Sequence, residues 1–185
     1  FHCYDRPDFA EKQIAYCRKT LDDYGFTATE MSLNEWLPCD GGGRMSDLGT
    51  PRQTAEIAAM LCLMQNGPVD DAEIYDARCS SSSYAPIFHA LTLKPYPAYC
   101  VYIAFNELRR LGRAVRTESP LPGVWATAAK SADGQFSVAA NRSLTTTFSA
   151  AMTSFALALY RRMSSVVRTF LPTIPFGFMR VFAAK

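Results

Sequence analysis

The stretch Thr29-Glu30-Met31-Ser32-Leu33-Asn34-Glu35-Trp36-Leu37-Pro38 ends on a carboxylate, an indole and a proline, and runs within a few residues into Gly41-Gly42-Gly43. Its alternation reads as a short strand from about Ala28 to Glu35, with Met31, Leu33 and Glu35 on one face and Glu30, Ser32 and Asn34 on the other. A carboxylate at the carboxyl end of a strand, beside an aromatic ring and a glycine-rich loop, can act as a nucleophile or base toward a sugar. Glutamates are solvated surface residues by default, so the surrounding elements must decide whether Glu35 is one of them.

Those elements alternate. Phe1–Tyr4 reads as the tail of a strand, and Asp8 caps an expected helix reaching about Tyr24, stopped by Gly25. After the Glu35 strand and its loop, Thr50-Pro51 starts a helix to about Gln65 whose faces are almost all apolar, so other structure must cover it. Val69–Ala77 is a further strand, Arg78–Lys94 a long loop, and Ala98–Leu111 a helix closed by Gly112. Strand–helix alternation implies parallel strands with the functional loops at their carboxyl ends. Beyond Gly112 the texture changes to short strands at 114–117, 124–130 and 135–140, with Asp133-Gly134 as a hairpin signal.

Composition narrows the classes. The chain of 185 residues is about half hydrophobic and has a net charge of +2, which favours neither nucleic acid nor a highly charged surface as partner. Residues 1–160 hold 14 basic against 17 acidic side chains, whereas 161–185 hold five basic ones and no acid. Cys3, Cys17, Cys39, Cys62, Cys79 and Cys100 form no Cys-x-x-Cys, and His2 and His89 are the only histidines, so no metal site is expected. Cysteines with no pairing pattern favour a reducing, cytoplasmic setting. Phe148–Tyr160, an uncharged run, is too short to span a bilayer, and no membrane partner is expected. The serines at 80–83 and His89 lack a Gly-x-Ser-x-Gly setting for nucleophilic catalysis.

The ordered set of His2-Cys3-Tyr4, Leu21-Asp22-Asp23-Tyr24-Gly25-Phe26, Thr29-Glu30, Leu33-Asn34-Glu35-Trp36, Glu73-Ile74-Tyr75-Asp76-Ala77-Arg78, Tyr84–Phe88, Lys94-Pro95, Ala104-Phe105-Asn106-Glu107-Leu108 and Leu111-Gly112 resembles the last part of the catalytic barrel in glycoside hydrolase family 39, the β-xylosidase and α-L-iduronidase family. The resemblance implies an α/β fold: residues 1–112 as the C-terminal part of a TIM (β/α)8 barrel and 113–160 as a partial antiparallel β-sandwich, with 161–185 an atypical basic tail. It implies retaining hydrolysis of an oligosaccharide or glycoside, in which two carboxyl groups ~5–5.5 Å apart share the work. Carried over by position, the nucleophile is Glu35. His2 and Tyr4 stand beside it, Trp36 is a sugar platform or a seal of the barrel rim, and Asp76, near Arg78, binds hydroxyls or forms a structural ion pair. No cofactor is implied.

Three strand–helix units are too few for a barrel, which takes ~250 residues, so the chain is expected to be part of a larger domain. The family's acid/base lies in an Asn-Glu-Pro setting that this sequence lacks. Its Asn-Glu pairs are Asn34-Glu35 and Asn106-Glu107, so the second carboxylate is expected upstream and the chain alone is expected to be inactive. The family pattern is expected to end near Tyr160, through a shifted frame or an incomplete gene. The alternatives are a noncatalytic carbohydrate-binding or interaction module of glycosidase-like shape, and an arabinofuranosidase-type glycosidase. The sequence leaves the sugar and the oligomeric state open.

Overall fold

A computed structural model describes residues 1–39, 47–78, 84–142 and 181–182. These belong to one compact unit, Phe1–Ser143 with Met179–Lys185. Its described elements run β1 (His2–Cys3), α1 (Pro7–Asp23), β2 (Ser32–Trp36), α2 (Pro51–Asn66), β3 (Asp71–Ile74), α3 (Pro97–Leu111), β4 (Arg113–Val115), β5 (Val124–Lys130), β6 (Phe136–Arg142) and β7 (Val181–Phe182). They form a mixed α/β structure with two sheets of order β1-β2-β3-β7 and β4-β5-β6. The first three strands are mutually parallel, each pair separated in sequence by a helix, while β7 is antiparallel to β3. β4, β5 and β6 are antiparallel throughout.

Each helix start has a local cause. α1 begins at Pro7 with Arg6 as its extended N-cap, so Asp8 lies inside the first turn, where its charge suits the helix dipole, and does not cap it. At the other end Gly25, with φ of +84°, donates to the Asp22 carbonyl and Phe26 N–H donates to Leu21 O, which closes the last turn. Thr50 caps α2 through its side chain, which accepts from Gln53 N at 3.3 Å. α3 ends on Gly112 in the left-handed region, behind Arg109 and Arg110 in its last turn.

α2 is the centre of packing. Ile57, Met60, Leu61, Cys62, Leu63 and Met64 are all buried, because α1 and α3 pack against it together with strands β5 and β6 of the small sheet. That is how a helix apolar on nearly every side is covered. β2 adds Leu33 and Trp36 to the same core, α1 adds Ala10 and Ile14, and α3 adds Ala98 and Tyr102. Burial pushes the Cys3 thiol up to about 11 and the Cys62 thiol up to about 12, so both pack as inert apolar groups. Cys3, Cys17, Cys39, Cys62 and Cys100 form no disulfide among the described residues.

The hairpin expected at Asp133-Gly134 joins β5 to β6. Gly134 has φ of +87° and donates to the Ser131 carbonyl, and Ser131 N–H donates to Gln135 O at 2.9 Å. Strands β2 and β3 are shorter than their sequence patterns suggest, because pairing covers only Ser32–Trp36 and Asp71–Ile74. The basic segment 161–185 lies outside the described residues apart from Val181 and Phe182.

Candidate active site around Glu35

One irregularity in β2 places the carboxylate. Leu33 pairs with Ala72 and Trp36 with Ile74, so β2 advances three residues while β3 advances two. The extra residue is a bulge, which resets the alternation. Leu33 and Trp36 therefore both enter the core, at 0% and 1% exposure, and Glu35 is turned away from it. The simple alternation put Glu35 on the face of Leu33; the bulge corrects that.

Parallel pairing does the rest. His2 is in register with Glu35, and Cys3 with Trp36. Side chains of paired residues share a face of the sheet, so Cys3 joins Trp36 in the core while His2 meets Glu35. His2 Nδ1 lies 2.7 Å from Glu35 Oε2, with the glutamate side chain 25% exposed. Tyr4, two residues beyond His2, donates its hydroxyl to Glu35 Oε1 at 2.6 Å. Each carboxylate oxygen thus has its own partner, and a quarter of the side chain stays open to a ligand. Desolvation and the Glu35 carboxylate push the Tyr4 phenol far above its ordinary value, so Tyr4 stays a proton donor through the alkaline range.

The strand ends are tied beneath this pair. Leu37 N–H donates to Cys3 O at 3.2 Å and Tyr75 N–H to Trp36 O at 2.9 Å. Cys39 Sγ donates to Tyr4 O at 3.1 Å. Tyr75 and Tyr84 complete an aromatic wall with Tyr4, edge to face, at centroid separations of 6.2 Å to Tyr4 and 5.5 Å to each other. The Arg78 guanidinium stands 5.7 Å from the Tyr75 ring centre.

Among the residues expected from sequence, His2, Tyr4 and Glu35 come together. Asp76 stands just past β3, where its carboxylate accepts from Arg78 N, Nε and Nη2 at 3.0, 2.9 and 2.5 Å. It is 7% exposed, so the pairing with Arg78 is its prominent interaction and little of it faces a ligand. Trp36 is corrected: an indole 1% exposed inside the core offers no face to a sugar. The rings open to solvent at the site are those of the partly buried Tyr4 and Tyr75 and the exposed Tyr84. Tyr75 and Tyr84 were missed as site residues because their approach to Tyr4 depends on a loop whose path no local pattern encodes. Their signal was only the aromatic Tyr75 next to Asp76 at a strand end.

No group of three or more metal-ligating side chains occurs among the described residues, and no helix among them is long and apolar enough to cross a membrane. No family model, curated protein or solved structure matches the chain.

Proposed function

We propose that Glu35 is the nucleophile of a retaining glycoside hydrolase resembling family 39, acting on β-xyloside-like substrates. The supporting observation is the carboxylate at the carboxyl end of a parallel strand, held by Tyr4 Oη at 2.6 Å and His2 Nδ1 at 2.7 Å and walled by tyrosine rings. A nucleophilic carboxylate must be ionised and oriented. Partners on both oxygens restrict its rotation and hold it in one orientation. In the first step one oxygen of Glu35 attacks the anomeric carbon and the glycosidic bond breaks, with the leaving oxygen taking a proton from an acid. In the second, water activated by the same acid/base displaces Glu35.

The acid/base is a second carboxyl group, which we place in barrel strands outside residues 1–185. On this reading the parallel sheet and helices of residues 1–112 are the closing part of a TIM barrel, and β4–β6 begin an accessory sandwich. Asp76 is a poor substitute for the missing acid, since it serves Arg78 as a carboxylate with three short hydrogen bonds.

The test is covalent labelling. A 2-deoxy-2-fluoro-xyloside with a good leaving group, applied to the protein with its flanking coding sequence, should leave a glycosyl adduct on the peptide containing Glu35. An adduct on another carboxylate, with Glu35→Gln still labelled, removes the assignment. The isolated 185-residue chain should not turn over an aryl-xyloside, and measurable turnover would show that the acid/base lies within it.

A further inference from the structure

A cleft of about 780 Å³ opens between α1, the carboxyl end of α2 and the 117–126 segment that leads into β5. It includes none of His2, Tyr4 and Glu35. Its volume falls within the ~300–1,000 Å³ of small-molecule sites. The outer wall is preformed: Leu121 N–H donates to Ser119 Oγ at 3.3 Å and Val124 N–H to Leu121 O at 3.2 Å. Asn66, at the end of α2, holds that wall to the helix by donating from Nδ2 to Thr117 Oγ1 at 3.1 Å and to Ala126 O at 2.6 Å.

The chemistry of the lining defines an occupant. Four charged residues face the cleft, Glu11, Arg18, Lys19 and Asp22, and their formal charges cancel. Arg18 is consumed by Asp22 and by the carbonyls of Thr29 and Phe26, and Lys19 by Asp23. Both cations already have carboxylate partners and the lining has no net charge, so the cleft gives an anionic ligand no net attraction. The walls also carry the exposed Glu11 carboxylate, the exposed Asn66 amide and the partly buried Trp125 indole. Trp125 is half-buried and rests against the core, so its ring is held in place. The site thus offers one donor, two acceptors and an apolar surface of indole and prolines (Pro68, Pro120, Pro122).

We infer that this cleft binds an uncharged oligosaccharide, with a sugar face on Trp125 and hydroxyls donating to Glu11 and Asn66. Sugar hydroxyls supply donors and acceptors together with an apolar C–H face. A proline-rich peptide, the other usual occupant of a tryptophan groove, has few N–H groups to give two acceptors. The site is separate from Glu35 and stands whether or not that residue is a nucleophile.

The chain has two tryptophans, so two indole N–H signals are expected in a proton–nitrogen correlation spectrum, and Trp125→Phe assigns them. Titration with xylohexaose, cellohexaose and mannohexaose should move the Trp125 signal saturably for at least one sugar, with Kd on the order of 1 mM, and leave that of the buried Trp36 in place. Ala15→Arg, on the exposed helical wall, should abolish the shift, and Glu11→Ala should raise Kd about five-fold. Both substitutions are at the surface and should keep the spectrum of the folded chain. Glu35→Gln should bind as the unaltered chain does, which separates this site from the nucleophile assignment. The inference is overturned if none of the three sugars moves the signal, if Ala15→Arg binds sugar undiminished, or if a proline decapeptide moves it and the sugars do not.

Discussion

Tyr102 sits on α3 at 2% exposure, with no hydrogen-bond partner for its hydroxyl among the described residues. Burial alone pushes its phenol far above the ordinary value of 10.0. An unpaired buried hydroxyl loses its water without compensation, a penalty of about 1–3 kcal/mol. Tyr102→Phe removes that penalty and leaves a void of one oxygen, which costs under about 1 kcal/mol. The variant should be more stable by about 1 kcal/mol, a rise in Tm of about 2–4 °C for a unit of this size. Urea unfolding would read it as a higher midpoint at unchanged slope.

The same group predicts a pH dependence. Its folded pKa exceeds its unfolded one, so its contribution is fully present below pH 10 and is lost as pH rises beyond, where the unfolded chain ionises and the folded chain does not. The advantage of Tyr102→Phe over the unaltered chain should therefore widen above pH 10. Tyr4 is raised in the same direction and keeps part of the alkaline loss in the variant. A variant less stable by 1 kcal/mol or more, or one with an unchanged alkaline slope, would mean that the hydroxyl is bonded and the reasoning is wrong.

Other outcomes follow from single contacts. Thr50→Ala removes the side-chain acceptor at the start of α2 and should lower stability by about 1 kcal/mol in the same urea assay. Gly49→Ala meets two obstacles, a φ of +74° and a Cβ that would lie 2.3 Å from the Tyr96 ring. Strain and overpacking together should lower the midpoint by about 2–4 kcal/mol of stability, while Gly25→Ala, with open space around it, should lose only about 1–2 kcal/mol. Tyr4→Phe deletes the donor 2.6 Å from Glu35. In the protein with its flanking sequence it should slow covalent labelling about ten-fold, with a stability loss of about 1 kcal/mol at most.

Much of the fold was legible because its signals are local. Thr50-Pro51 placed the start of α2, Gly112 the end of α3, and Asp133-Gly134 the β5–β6 turn, each through backbone chemistry that acts within a few residues. The approach of His2 and Tyr4 to Glu35 was available only through resemblance, since strand register is a long-range property. The face of Glu35 was misread because a bulge leaves no trace in the alternation: Asn34 and Glu35 look like any two successive strand residues. Trp36 reads from sequence as a sugar platform or a seal of the barrel rim, because a tryptophan beside a carboxylate at a strand end fits either. Burial by α2 and its neighbours decides between these, and that depends on packing far along the chain. The cleft around Trp125 had no local signature, being assembled from α1, α2 and β5.

The bulge in β2 separates two kinds of information carried by neighbouring residues. Leu33 and Trp36 hold the core, while Asn34 and Glu35 between them stay outside it. Position 35 is therefore less demanding than its neighbour: Glu35→Gln, which keeps an acceptor for Tyr4, should leave the fold nearly as stable, while Trp36→Ala should cost about 3–5 kcal/mol. Loss of one residue between Leu33 and Trp36 is a different event. It would set the two residues two apart, on one face of a regular strand, so both could stay in the core while the bulge disappears.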